Sequence, residues 1–392
     1  MDLDKLRAWW WHRQGLDGAL TGAEPAEVLA RTGWARSVGG VNPYLTLFSR
    51  AGTGREAVDA DVAAVAIHEL PAARGCTYVV PAADHALALQ VGRHATEADV
   101  RTLAKLGVER AELEKLADAV LEVLGADRAL DPLALREELG DAVRHLGEEG
   151  RRRGQSTTLP AALGMLQAAG EIRRVPVDGR LDRQRYAYTR WSAPRTGLDD
   201  AAARVELARR YFDWTGAATL AHFRWFSAFS AAAARQAMAA LDLVDLGGGL
   251  FLPSDARASF ESFEREPAAR VALLAGIDGL LLLRRDLAAL LDPADAIRPL
   301  PGGRSGERVG TAPDLPDHAI VDRGRVVGLW QFDPGEGEIV WWAFGPVGDA
   351  LYEEVARVEE YLRTQVGDAR SFSLDAPRSR APRLAALRAA SR

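Results

Sequence analysis

Three times along the chain a helical pattern gives way to a short β-rich run with Gly or Asp at its tip. The second instance is the clearest. Asp131-Pro132 pairs an N-cap residue with Pro at the first helical position and opens a helix over residues 133–139. Leu159-Pro160 opens another over 161–169, where Leu163, Leu166 and Ala169 keep helical spacing until Gly170 ends it. Two strand-like runs, 171–175 and 185–191, then flank Asp178-Gly179. The first instance reads as a helix over 61–68, a strand over 76–80 stopped by Pro81, and a helix over 82–91. The third starts at Asp200 and runs through a helix over 204–211. A helix pair at 219–226 and 231–241 follows, then a strand-turn-strand over 243–252. Helices closed by a hairpin are the signature of a winged helix-turn-helix.

From Asp317 the pattern changes to alternation. Residues 318–321, 326–332 and 338–344 read as strands separated by Arg323-Gly324 and Pro334-Gly335 turns, a small antiparallel sheet or barrel. An amphipathic helix over 350–365 follows, 298–316 is an exposed Gly/Pro-rich loop, and the basic stretch 378–392 is a frayed tail. The expected fold class is therefore α+β: tandem winged helix-turn-helix modules at 1–100, 101–195 and 196–300, with a small antiparallel β domain and helix at 301–392.

Composition narrows the classes of function. The 48% hydrophobic and 27% charged residues are those of a folded chain. No apolar run reaches the roughly 18 residues of a membrane span, and residues 1–5 lack a secretory pattern, so a cytoplasmic protein is expected. The single cysteine, Cys76, excludes a disulfide framework and a cysteine-rich zinc site, and the seven histidines are never paired at metal-ligand spacing. No metal or organic cofactor is implied. Net charge is −6, yet phosphates respond to local patches rather than to the sum. Arg173, Arg174, Arg180, Arg183, Arg185 and Arg190 decorate the second hairpin among Tyr186 and Tyr188, which suits a phosphate backbone or minor groove; a solvated surface strand fits equally well. Arg304 and Arg308 make the 298–316 loop a weaker candidate.

There is no Walker loop, HExxH or nucleophile elbow. What stands out is the stretch 32–50, TGWARSVGGVNPYLTLFSR, which can bring Trp34, Arg36, Asn42 and Tyr44 to a ligand. It also reads as a structural helix entry with Asn42 as cap and Pro43 at the first turn. Glu69, next to His68 in Ile67-His-Glu-Leu-Pro71, is a carboxylate in an apolar setting, which points either to function or to neutralisation by Arg74.

The 32–50 stretch with its LTLFSR ending, followed by His68-Glu69 and Pro71, resembles the start of the YcaQ and AlkZ family of DNA glycosylases. The likeness extends to the three modules and to the DRGRVVGLW run, 322–330. It implies winged-helix proteins that excise bulky alkylated purines or unhook interstrand crosslinks, acting on duplex DNA. In that family the chemistry is attributed to a Gln-apolar-Gln or Gln-apolar-Asp triplet ahead of the LTLFSR run. The corresponding positions here are Thr32-Gly33-Trp34 and Arg36-Ser37-Val38, so neither triplet is present. Gln331-Phe332-Asp333 fits the pattern but lies in a predicted strand pair, as coincidence would have it. His68-Glu69 resembles the His-Glu of the crosslink-unhooking branch. The resemblance, taken with the basic hairpin and loop, points to Glu69, Asn42 and His68 for catalysis, to Thr32, Trp34 and Tyr44 for the lesion, and to Arg36, Arg50, Arg74, Arg173, Arg180, Arg183, Arg185 and Arg304 for DNA. The alternative is a winged-helix protein that binds or sequesters lesions without cutting.

Overall fold

The computed structural model describes residues 2–183 and 185–391. In its first part, the Pro25–Thr32 helix leads into β1 (Ala35–Arg36), the helices Asn42–Ala51 and Arg55–Ala63, and a hairpin of β2 (Ile67–Pro71) and β3 (Thr77–Pro81). The second part repeats the order with the Arg110–Leu124 helix, β4 (Ala129–Leu130), the helices Pro132–Leu139, Gly147–Arg152 and Leu159–Ala169, and a hairpin of β5 (Ile172–Pro176) and β6 (Tyr186–Arg190). A third round consists of the Asp200–Thr215 helix, β7 (Ala218–Thr219), the helices Leu220–Ser227 and Ala231–Ala239, and β8 (Leu243–Asp245) with β9 (Leu250–Pro253). The three sheets share one strand order, β1-β3-β2, β4-β6-β5 and β7-β9-β8, all antiparallel. In the third hairpin the β8–β9 turn is Gly247-Gly248-Gly249, with φ of +104°, +67° and +74°, a run of left-handed residues that only glycine adopts without strain.

A fourth sheet, β10 (Val271–Leu274), β11 (His318–Asp322), β12 (Arg325–Asp333) and β13 (Glu338–Ala343), is an antiparallel meander in that order. Its strand β10 lies well ahead of the expected start of the β domain at 301. The Asp349–Tyr361 helix and the Asn42–Ala51 helix both pack on β10, while the Pro377–Ala390 helix packs on β12 and β13. One core therefore joins Leu45, Leu47 and Phe48 to Leu273, Ile320, Trp330 and Leu362, and another joins Trp9, Trp10 and Trp11 to Leu274, Val321 and Leu329.

Several local expectations are corrected. The helix read at 61–68 is Arg55–Ala63, and residues 67–71, including His68 and Glu69, are a strand. The helix read at 82–91 runs from His85 to Ala104 and packs against both Leu159–Ala169 and Asp200–Thr215. The basic tail is the Pro377–Ala390 helix, with Leu384 and Leu387 buried, so it is docked rather than frayed; its last residue, Arg392, and Met1 lie outside the described residues. Among the described residues no helix is long and apolar enough to cross a membrane.

A buried ion pair fastens the N-terminal part to the turn that follows β10, where Asp278 caps the Gly279–Leu282 helix. Arg50, at the end of the Asn42–Ala51 helix, meets Asp278 through two hydrogen bonds of 2.8 and 2.9 Å, and both side chains are buried. Gln14 accepts from the same guanidinium at 3.0 Å and donates to the carbonyls of Thr32 (2.7 Å) and Trp214 (2.9 Å). Removing one partner of a buried pair leaves the other charge uncompensated, so Arg50→Ala is expected to cost about 3–5 kcal/mol. The urea midpoint should fall with an unchanged slope.

Candidate active site

The outer strand of the first sheet, β2, lies against the outer strand of the second, β5. Side chains alternate along a strand, so neighbours on β2 and on β5 point to opposite faces. Glu69 pairs with Val79 and His68 with Val80 in the β2–β3 register. On the Glu69 face, Ser37 Oγ donates to Glu69 Oε1 at 2.5 Å. Arg174 of β5 acts on this carboxylate electrostatically but forms no ion pair with it among the described residues; its guanidinium stands 4.4 Å from the Tyr186 ring and donates to Thr77 Oγ1 at 3.4 Å. Burial raises the Glu69 carboxyl above its ordinary range, with Arg174 and the Ser37 hydrogen bond working against that shift. Arg36, one residue before Ser37, lies 5.4 Å from the Tyr78 ring and is half-buried.

The opposite face gathers His68, His85, Trp191 and Arg173. The two imidazoles are 4.3 Å apart, Trp191 is 5.9 Å from His68, and Arg173 lies 5.2 Å over the Trp191 ring. Burial pushes His68 down to about 4, helped by His85 and Arg173, and it pushes His85 down to about 4, helped by Arg173. Both rings are neutral near pH 7, and His68 does not share a face with Glu69. The buried Nδ1 of His85, Nε1 of Trp191 and Nε of Arg173 find no partner among the described residues.

Most of the other residues expected at a site are structural. Trp34 is buried, donates to Asp84 at 2.7 Å, and packs with Tyr78, Trp214 and Phe226 in the core. Tyr44 is fully buried; its hydroxyl donates to Asp59 at 2.5 Å and accepts from the Leu181 amide at 3.0 Å, so it ties the first part to the second hairpin rather than stacking on a ligand. Thr32 donates to the Val28 carbonyl inside its own helix. Asn42 is buried and is the first helical residue, not the cap; its amide donates to the Arg36 carbonyl at 2.8 Å and its oxygen faces Thr46 Oγ1 at 3.4 Å. Arg50 is spent on Asp278, which removes it from any phosphate. Arg180 pairs with Asp182 and reaches the Val366 carbonyl.

Arg74 is exposed but turns toward Trp225, donating to its carbonyl at 3.0 Å and covering its ring at 4.9 Å, so the cation that acts on Glu69 is Arg174 instead. Arg183, Arg185 and Arg304 are exposed, Arg183 within 3.4 Å of Asp178. Gln331 is a core residue that donates to Asp317. The residues that sequence reasoning missed are Ser37 and Arg174. Ser37 stood inside the Arg36-Ser37-Val38 triplet, and Arg174 was visible only as one arginine of a basic hairpin. Among the described residues no three His, Cys, Asp or Glu side chains come together to hold a metal.

The histidine pair sets an acid limit on stability. Each ring binds a proton in the unfolded chain below about 6.5 but in the fold only near 4, so the unfolded state takes up more protons between those values. Stability should be full above pH 6.5 and fall as pH drops toward 4. His85→Leu should flatten that part of a urea-midpoint profile.

The family described as DNA glycosylase AlkZ-like matches residues 39–370. No curated protein matches the chain. Among solved structures, the Streptomyces sahachiroi DNA glycosylase AlkZ is similar, with a TM-score of 0.69 and 20% identity over 93% of this chain and 98% of that chain. At this identity the likeness speaks for a shared fold. The family match covers most of the sequence and includes Glu69, Arg174 and the four-stranded sheet: the chain belongs to the AlkZ-like DNA glycosylase family.

Proposed function

We propose that the protein binds duplex DNA and hydrolyses the N-glycosidic bond of bulky N-alkylated purines, free or within a crosslink, as a monomer and without a metal or organic cofactor. The three rounds of helix, strand, helices and hairpin are read as winged helices, with β2–β3, β5–β6 and β8–β9 as wings. An N7-alkylated purine is already cationic and leaves readily, so the enzyme need only orient water and stabilise an oxocarbenium-like sugar. With both Gln triplets absent and Asn42 committed inside the fold, Glu69 is the oxygen left for that work. One observation carries the reading: Ser37 orients Glu69 on β2 where that strand meets β5 of the second hairpin. The half-buried Arg36 and the exposed Arg183 and Arg185 are assigned to phosphates.

The second reading is binding without excision, favoured by Arg36-Ser37-Val38 standing where the family carries its amides. Release of base from duplex DNA containing N7-methylguanine separates the two. Glu69→Gln should slow release by roughly a hundredfold or more while leaving DNA affinity unchanged. Base catalysis needs the ionised carboxylate, so the wild-type rate should fall as pH is lowered, with a midpoint above the ordinary carboxylate range. Unchanged release in Glu69→Gln removes Glu69 from the mechanism, and salt-dependent binding with no release decides for the second reading. Arg183→Ala and Arg185→Ala should each lower the slope of log affinity against log salt by about 1.

A further inference from the structure

Residues 370–376 run along the loop that follows β1. Ser373 N donates to the Val38 carbonyl and Val41 N to the Arg370 carbonyl, both at 2.9 Å. The approach is so close that a Cβ on Gly40 would stand 2.3 Å from the Ser371 oxygen. Asp375 is buried, accepts from Ser371 N at 3.2 Å and pairs with Arg383 at 2.6 Å. Arg370 donates through Nε to the Asp182 carbonyl at 3.2 Å, which anchors the segment to the β5–β6 connection. The backbone of this loop is therefore held from three directions.

Its two large apolar side chains nonetheless point outward, Phe372 at 44% and Leu374 at 83% exposure. A single exposed leucine needs no explanation. Two apolar tips on a pinned loop are different, because no collapse onto the surface has hidden them. The hairpin that anchors them carries exposed Arg183 and Arg185, and Val177 at its tip is 46% exposed. Cationic side chains beside rigid apolar tips match a widened minor groove, where guanidinium groups meet phosphates and an apolar wedge opens a base step. The loop also abuts Val38, one residue beyond the Ser37 that orients Glu69.

We propose that Phe372 and Leu374 form an apolar wedge that enters a base step of duplex DNA lying along the β5–β6 hairpin. This rests on the DNA-binding reading above and deepens it: the wedge separates stacked bases beside the carboxylate that would act on one of them.

The test titrates the full chain onto duplexes carrying 2-aminopurine at successive positions. Wild-type protein should raise the fluorescence at one or two adjacent steps. The Phe372→Ala/Leu374→Ala double variant should abolish that rise and weaken binding roughly tenfold. Its salt slope should match wild type, since the lost contacts release no counterions, and its melting temperature should fall only a little, since Leu374 is mostly exposed and Phe372 nearly half so. An equal fluorescence rise from wild type and double variant, or none from a wild type that binds with a steep salt slope, overturns the wedge and leaves DNA binding standing. A wild type that binds no duplex overturns both.

Discussion

The fold depends on one buried charge pair. Asp278 accepts from both terminal nitrogens of Arg50, from Thr46 at 3.2 Å and from the Leu280 amide at 2.9 Å, so its lone pairs are filled from two helices. Such a pair is a weak source of net stability, because desolvating both ions consumes most of their attraction. Its contribution is geometric. Only one docking of the Asn42–Ala51 helix against β10 satisfies every member, and Gln14 extends that condition to the Pro25–Thr32 and Asp200–Thr215 helices. The position of Ser37, between the first two of these helices, follows from it.

The candidate site is a product of two hairpins rather than of one loop. Glu69 and His68 come from β2, Arg174 and Arg173 from β5, and alternation sorts them into a carboxylate face and an imidazole face. A nearby cation makes ionisation of a half-buried carboxylate less costly than desolvation alone would allow. That balance is set by how the two sheets sit against each other. Tyr44 reinforces it by joining the Asp59 side chain to the Leu181 amide.

Much of the architecture was legible in the sequence. Asp131-Pro132 opens the expected helix, Gly170 ends the next, and the Gly247–Gly249 turn and the three late strands fall where alternation and turn chemistry put them. His68 was read as the end of a helix, whereas pairing with β3 decides its state. The site was less legible, for one physical reason. A polar or aromatic residue at a loop reads the same whether it awaits a ligand or is satisfied inside the fold. Trp34, Tyr44, Asn42 and Arg50 all find internal partners, at Asp84, Asp59, Arg36 and Asp278, that lie from 6 to 228 residues away. Glu69 was singled out because a carboxylate in an apolar run is rare, but Ser37 and Arg174 become partners only through tertiary pairing.

The contact between Gly40 and Ser371 bears on the order of assembly. A loop near one end of the sequence is lined by backbone from near the other, and β10 and the Asp349–Tyr361 helix complete the core beneath it. On the ribosome, the early helices can form as they emerge, but the loop holding Ser37 has no wall to close against until residues 370–373 are made. The part that holds Ser37 is thus made well before the segment that completes it, and it exposes Leu45, Leu47 and Phe48 while it waits, a period in which aggregation competes with folding.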